Sequence, residues 1–317
     1  MREPLISVVI PVYNEAAHIR HSVETIRGVL TASAIDHEII LIDDGSRDET
    51  WDTIKALANE SSAVRSLRLS RNFGKEAALC AGLEAVRGRA CVVMDADLQH
   101  PPELIPEMVR LWREDEWDIV DGVKTSRGKE ALGYMLGAKL FYYLFRKLTG
   151  FNLRGASDFK LLDARALDAW RALRERDTFF RGMAAWVGFR RVSVSFEVAS
   201  RAEGQTKWSP IKLIRLFLSA ITAFSSMPLQ IITVLGGIFF LCSLALAAQT
   251  LYMKFQGEAF SGFTTVILLQ LLIGSALMFS LGLIGTYLAR IYDEVKGRPR
   301  FIVSERVGDE MISETRK

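Results

Sequence analysis

Along residues 5–124 the chain alternates short apolar runs with longer stretches in which apolar residues recur every three or four positions. Residues 5–10 are apolar and closed by Pro11, the signature of a buried strand. A helix follows, with Asn14 placed to cap it and an end near Leu30. Residues 38–42 form a second strand, which runs into Asp43-Asp44-Gly45-Ser46. Ser46-Arg47-Asp48-Glu49 matches a capping box, so a helix is expected with Trp51, Ile54 and Leu57 inward. Strands at 64–69, 90–94 and 119–120 then alternate with helices at 74–86 and 103–113. This alternation predicts an α/β domain with a mostly parallel sheet and right-handed crossovers.

Beyond residue 208 the pattern changes. No charged residue occurs at 227–253 or at 263–289, and each stretch exceeds the ~20 residues that cross a hydrocarbon core. Two transmembrane helices in a hairpin are expected. Before them, Ile211, Ile214, Leu218, Ile221 and Phe224 recur at helical spacing, with Lys212, Arg215 and Ser219 on another face. That predicts an amphipathic helix at 209–226 lying on the membrane, broken from the first span by Pro228. The expected division is 1–208, an α/β domain; 209–226, a juxtamembrane helix; 227–290, the hairpin; and 291–317, a tail with a short strand. Lys212 and Arg215 precede the spans, while Arg290, Lys296, Arg298 and Arg300 follow them. The connecting loop holds only Lys254 and Glu258, so the positive-inside rule puts both chain ends in the cytoplasm. The strand around residues 300–303 is expected to dock on its own domain or on a neighbouring subunit.

Composition adds limits. A formal net charge of +3 over 317 residues gives no basis for nucleic-acid binding. Cys80, Cys91 and Cys242 lack metal-like spacing and read as inert thiols in a reducing compartment. The start shows no secretory signal, which agrees with a cytoplasmic first domain.

The chemistry is concentrated at 91–102, Cys91-Val92-Val93-Met94-Asp95-Ala96-Asp97-Leu98-Gln99-His100-Pro101-Pro102. An apolar strand stops at two carboxylates spaced i, i+2, followed by an amide and two prolines. Ligands of open α/β sheets bind at the carboxyl ends of strands. Neither G-x-G-x-x-G after the first strand nor G-x-x-x-x-G-K-[ST] is present, so the usual glycine-rich phosphate cradles are missing. Acids at strand ends would hold a phosphate through a hard cation, Mg²⁺ or Mn²⁺. His18, His21 and His37 read as solvent-facing, and His100 beside the acidic run is a further candidate.

Pro11-Val12-Tyr13-Asn14-Glu15, Asp43-Asp44-Gly45-Ser46 with Asp48 and Thr50, and Asp95-Ala96-Asp97-Leu98-Gln99 resemble glycosyltransferase family 2. Asn72-Phe73-Gly74-Lys75, Gln99-His100-Pro101-Pro102, Ser157-Asp158-Phe159 and residues 201–208 narrow the resemblance to its polyprenyl-phosphate glycosyltransferases. It runs from about residue 5 to 303. The resemblance implies a GT-A catalytic domain, a nucleotide-sugar donor, UDP-glucose favoured, and an undecaprenyl-type polyprenyl phosphate acceptor. It implies inversion at the anomeric carbon and residence in a bacterial cytoplasmic membrane. Two spans are too few for a sugar-lipid translocation path, so a separate flippase is expected, and a homo-oligomer is expected as well.

By position, Pro11, Tyr13 and Glu15 would line the nucleotide pocket, and Asp43 and Asp44 would hold base or ribose. Asp95 and Ala96 would contact the nucleotide, while Asp97, Gln99 and Asp95 would hold the metal. Lys75 would lie near the donor. Asp158 would face the reacting centre, and Arg201 and Lys207 would meet phosphate charge. Lys124 stands where the family often has arginine, which brings Arg127 forward as a phosphate contact; residues 124–136 would form a closing loop. Ser157 replaces a frequent glycine, and Trp208 a usual tyrosine. A lipid phosphate, with a second pKa near ~6, is mostly dianionic at neutral pH and needs no strong base. Two other readings compete. A processive polysaccharide synthase usually carries Gln-x-x-Arg-Trp, which is missing here, and a scaffold without activity sits poorly with intact Asp95, Asp97 and Gln99.

Overall fold

A computed structural model describes residues 5–124, 156–173, 175, 180–196, 227–256 and 262–308. The chain divides into two compact units. One comprises residues 1–146, 151–207 and 299–317; the other comprises 147–150 and 208–298.

The first unit is built on an eight-stranded sheet of order β7-β5-β6-β4-β1-β2-β3-β8. Its strands are β1 (Ile6–Val12), β2 (His37–Asp43), β3 (Val64–Leu69), β4 (Ala90–Val93), β5 (Ile119–Lys124), β6 (Ala156–Asp163), β7 (Arg191–Phe196) and β8 (Val303–Val307). The helices are α1 (Ile19–Ala32), α2 (Thr50–Glu60), α3 (Lys75–Glu84), α4 (Ile105–Glu114), α5 (Ala164–Ala172) and α6 (Phe180–Trp186). β1, β2, β3 and β4 pair in parallel, as their continuous apolar runs require when both faces are covered. Ile6, Val8, Ile10, Ile39, Leu41 and Val92 are fully buried against α1, α2 and α4, whose inward residues include Ile26, Ile54 and Met108. Removing such side chains from water supplies ~1.5–3 kcal/mol each.

The structure corrects the expected topology on the other side of the sheet. β5 does not pair with β4. β6 lies between them and is antiparallel to both, so the sheet is mixed. The returning strand, expected at 300–303, is β8. It pairs antiparallel with β3 of its own sheet, and Ser70 donates its amide to the Ile302 carbonyl at 2.9 Å. Trp51 Nε1 donates to Glu305 Oε2 at 2.9 Å, fastening the strand to α2.

Two helix starts also differ from expectation. α1 begins at Ile19 after His18; Asn14 lies upstream with φ of 53° and accepts the Arg47 amide at 2.9 Å. At α2 the box does not close. Ser46 Oγ accepts the Asn14 amide, and Asp48 Oδ1 accepts from the Thr50 amide and hydroxyl instead.

The second unit contains α7 (Met227–Phe255) and α8 (Phe263–Val295). Large apolar side chains stand exposed on both, Phe240 and Phe279 among them. Among the described residues, Leu272–Val295 is long and apolar enough to cross a membrane, with mean hydropathy 1.8; Ile232–Leu246 is a shorter apolar stretch. The helix expected at 209–226 lies outside the described residues.

Candidate active site

A cleft of about 310 Å³ opens where β1, β2 and β4 end. That is enough for a small polar ligand, and it lies where ligands of open α/β sheets bind. Pro11, Tyr13 and Glu15 after β1, Asp44 after β2, Lys75 at the start of α3, and Asp95, Ala96 and Asp97 after β4 all line it, together with Asn72 and Gly74.

The loops that carry these residues are tied to one another. The Glu15 amide donates to Thr50 Oγ1 at 2.9 Å, which joins the loop after β1 to the start of α2. Asp44 accepts the amides of Phe73 and Gly74 at 2.7 and 2.9 Å, which joins the loop after β2 to the one after β3. Burial raises the Asp44 pKa above the usual carboxylate value, and those two amides work against the rise. Gly45 adopts φ of +70°, and a Cβ there would lie 2.5 Å from the Arg71 carbonyl carbon, so the crossing of these loops requires glycine. On the far side, Ser22 of α1 donates to the Ala96 carbonyl at 2.6 Å.

Asp43 is fully buried and is not among the residues that line the cleft. Its Oδ1 accepts the Ser46 amide at 3.0 Å, and Oδ2 lies 3.3 Å from Arg68 Nε. His100 is buried, stacked on Phe159 at 5.2 Å, and its Nδ1 accepts the Asp95 amide at 3.3 Å. That bond ties the ring to the acidic turn, and His100 is not among the residues that line the cleft. His37, expected in solvent, is half-buried, with Nδ1 2.8 Å from the Ile35 carbonyl.

The acids are not equivalent. Asp97 is exposed, and its Oδ1 accepts the Gln99 amide at 3.1 Å. Glu15 has its pKa raised by burial, against His18, with Asp97 and Asp48 adding to the rise. Asp95 Oδ1 lies 2.5 Å from Lys75 Nζ. The same ammonium donates to Asp158 Oδ2 at 2.7 Å. Burial works against the charge on Lys75, but Asp95 and Asp158 outweigh it and raise its pKa.

Asp158 itself is 5% exposed. Arg181 grips it twice, Nε to Oδ1 at 2.6 Å and Nη2 to Oδ2 at 2.9 Å. Burial would push this carboxyl up; Arg181 and then Lys75 overcome that and hold it well below the usual carboxylate range.

Ser157, where glycine is frequent, is buried and donates to the Gly122 carbonyl at 2.5 Å, binding β6 to β5. Arg181 and Glu76 belong to this constellation and carry no sequence motif. Arg127, Arg201 and Lys207 lie outside the described residues, as do residues 125–136 of the expected loop and the side chain of Lys124.

Among the described residues no three His, Cys, Asp or Glu side chains converge as a metal cage. The carboxylates present suit a different arrangement. Asp95 and Asp97 line one cleft, and a hard cation of the Mg²⁺ type takes one or two carboxylates and fills its shell with substrate phosphate and water. The residues therefore fit a cation that shares its coordination with a diphosphate.

Residues 7–168 match the model of the family described as Glycosyl transferase family 2. An uncharacterized glycosyltransferase of Synechocystis is 40% identical over 309 residues, 97% of this chain and 97% of its own length. The bactoprenol glucosyl transferase of Shigella phage SfII is 34% identical over 305 residues, covering 95% of this chain and 97% of the phage protein. The solved glucosyl-3-phosphoglycerate synthase of Mycobacterium tuberculosis is 23% identical, with a TM-score of 0.48, over 70% of this chain and 80% of that one. A cleft of acids and one lysine, inside the matched segment, agrees with the family match and the curated relatives: the chain belongs to glycosyl transferase family 2 and is a glycosyltransferase.

Proposed function

We propose that the protein transfers a sugar from a nucleotide-sugar, with UDP-glucose as the favoured donor, to a polyprenyl phosphate at the cytoplasmic face of a bacterial membrane. The observation that carries this reading is the cleft itself, which brings Asp95 and Asp97 after β4 together with Lys75 at the start of α3. Likeness to a bactoprenol glucosyl transferase over nearly its whole length supports the acceptor and the sugar.

In this reading Pro11, Tyr13, Glu15, Asp44 and Ala96 receive the nucleoside, while Asp43 stiffens the turn behind them. Asp95 and Asp97, with Gln99 beside them, would hold Mg²⁺ or Mn²⁺. When bound, that cation would supply Lewis-acid stabilisation of the leaving diphosphate. Lys75 places a fixed positive charge on the same side. The attacking phosphate oxygen is already anionic, so the protein's part is to orient, neutralise and exclude water. In-line attack inverts the anomeric carbon. Arg201, Lys207, Lys124 and Arg127 are proposed as the cations that meet donor and lipid phosphate.

Chain order supports two spans. β8 follows α8 and hydrogen-bonds to β3 of the sheet that precedes α7. A chain that leaves one domain and rejoins it crosses a bilayer an even number of times, and α7 and α8, at 29 and 33 residues, are long enough to supply two crossings. A separate flippase is proposed to move the product across.

The test uses the full chain in detergent, with polyprenyl phosphate, Mg²⁺ or Mn²⁺ and a panel of nucleotide-sugars. Release of nucleoside diphosphate that depends on both lipid and metal is expected, fastest with UDP-glucose. Asp97→Ala is expected to lower it by about a hundredfold or more without changing membrane insertion. Folded protein that releases nothing with any donor defeats the proposal.

A further inference from the structure

We propose that Arg181 is a positioning residue for Asp158 and Lys75, and that Glu76 sets Arg181 in place through the first amide of α6. The inference rests on the reading above, in which Lys75 serves the donor.

The contacts form a closed ring. Lys75 and Glu76 are neighbours at the start of α3; Phe180 and Arg181 are neighbours at the start of α6. Glu76 Oε2 accepts the Phe180 amide at 2.8 Å. Arg181 forks onto both oxygens of Asp158, and Lys75 closes the ring on Oδ2 at 2.7 Å. Fork contacts fix the plane of a carboxylate, which a single ammonium cannot do. The plane of Asp158 then decides where the Lys75 ammonium stands, 2.5 Å from Asp95 at the edge of the cleft.

α6 spans only seven residues, too few for a helix to hold itself. An acceptor at its first amide therefore anchors the turn on which Arg181 rides. Burial, with Asp158 adding to it and the Phe180 amide, Lys75 and Arg181 opposing, pushes the Glu76 carboxyl up to about 7. A carboxyl oxygen accepts the amide in either protonation state, so a glutamine carbonyl can take its place.

The experiment measures kcat and donor KM in the full chain for Arg181→Met, Glu76→Leu, Glu76→Gln and the Glu76→Leu/Arg181→Met double variant. Arg181→Met is expected to lower kcat about tenfold or more with donor KM within about twofold. Glu76→Leu should move kcat the same way, and Glu76→Gln should restore most of that loss. The double variant should be no slower than Arg181→Met, because both changes break one connection. Losses that multiply in the double variant, a Gln variant as slow as Leu, or an unaltered kcat in Arg181→Met would each overturn the proposal. A wild-type chain with no turnover would instead defeat the functional reading. Thermal unfolding of the same four variants then decides the inference: non-additive shifts in Tm support the ring, and additive shifts refute it.

Discussion

Replacing Asp158 by Asn tests the electrostatic account of the site most directly. The side chain keeps its shape and loses its charge, while Arg181 and Lys75 lose the partner that three hydrogen bonds address. Bonds to a charged group contribute about 1.5–3 kcal/mol each when buried. Here the carboxylate is buried but the Arg181 and Lys75 side chains are 40% and 41% exposed, so about 1–1.5 kcal/mol per bond is appropriate. Three such bonds amount to about 3–4.5 kcal/mol, and relief of carboxylate burial offsets about 1–2 of it. A net loss of about 1–3.5 kcal/mol at neutral pH is expected. The sign of the pH dependence follows from a folded pKa held below the unfolded one. The stabilisation is full above the unfolded carboxylate value, about 4, and fades as pH falls toward the folded value. Chemical denaturation of wild type and Asp158→Asn from pH 7 to pH 3 measures it. The gap between them should be constant down to about pH 4 and narrow below that. Equal stability at pH 7, or a gap that widens in acid, would refute the assignment.

Two further perturbations probe the frame around the cleft. Gly45→Ala should destabilise by about 2–4 kcal/mol, since it forces a side chain into the left-handed region and against the Arg71 backbone; a Tm equal to wild type would show that the loop crossing yields easily. Glu305→Ala leaves Trp51 Nε1–H, on a residue 2% exposed, without its acceptor, at about 1–3 kcal/mol. Hydrogen exchange should then quicken in β8 while β1 and β2 keep their protection, and unchanged exchange in β8 would count against the fastening role.

The half of the sheet from β1 to β4 was legible as parallel because its strands are unbroken apolar runs between amphipathic helices. β6 was not, although Ser157-Asp158-Phe159 drew attention as a motif. Its sequence sets Asp158 and Lys160 two residues apart on one face, which in an ordinary strand marks the solvent side. Both are buried instead: Lys160, 2% exposed, pairs with Asp121 of β5, and Asp158 pairs with Arg181 and Lys75. Partners distant in sequence therefore reversed the face that the pattern suggested. The capping residues misled for a related reason. Asn14 and Ser46 have the chemistry of local caps, yet they bond each other's loops across 32 and 33 residues. Of the cleft, the acids and Lys75 could be found from their place after strands or in a motif. Arg181 could not, because nothing in its own neighbourhood marks an arginine that answers to a carboxylate on another strand.

The charge state of Asp158 bears on which acceptor this cleft can serve. A hydroxyl acceptor must lose a proton as it attacks, and the base that takes it works best with a pKa near the operating pH. Asp158 is the reverse of such a base. Its pKa is depressed, and Arg181 and Lys75 occupy both of its oxygens. Glu76, the carboxyl lifted to about 7, is turned to the Phe180 amide and serves the scaffold. Glu15 and Asp44 line the cleft and have raised pKa values, but they stand among the residues proposed to receive the nucleoside. A site furnished in this way suits an acceptor that arrives already ionised. A lipid phosphate meets that condition near neutral pH and a sugar hydroxyl does not, so the chemistry of the described side chains agrees with the phosphate acceptor proposed above.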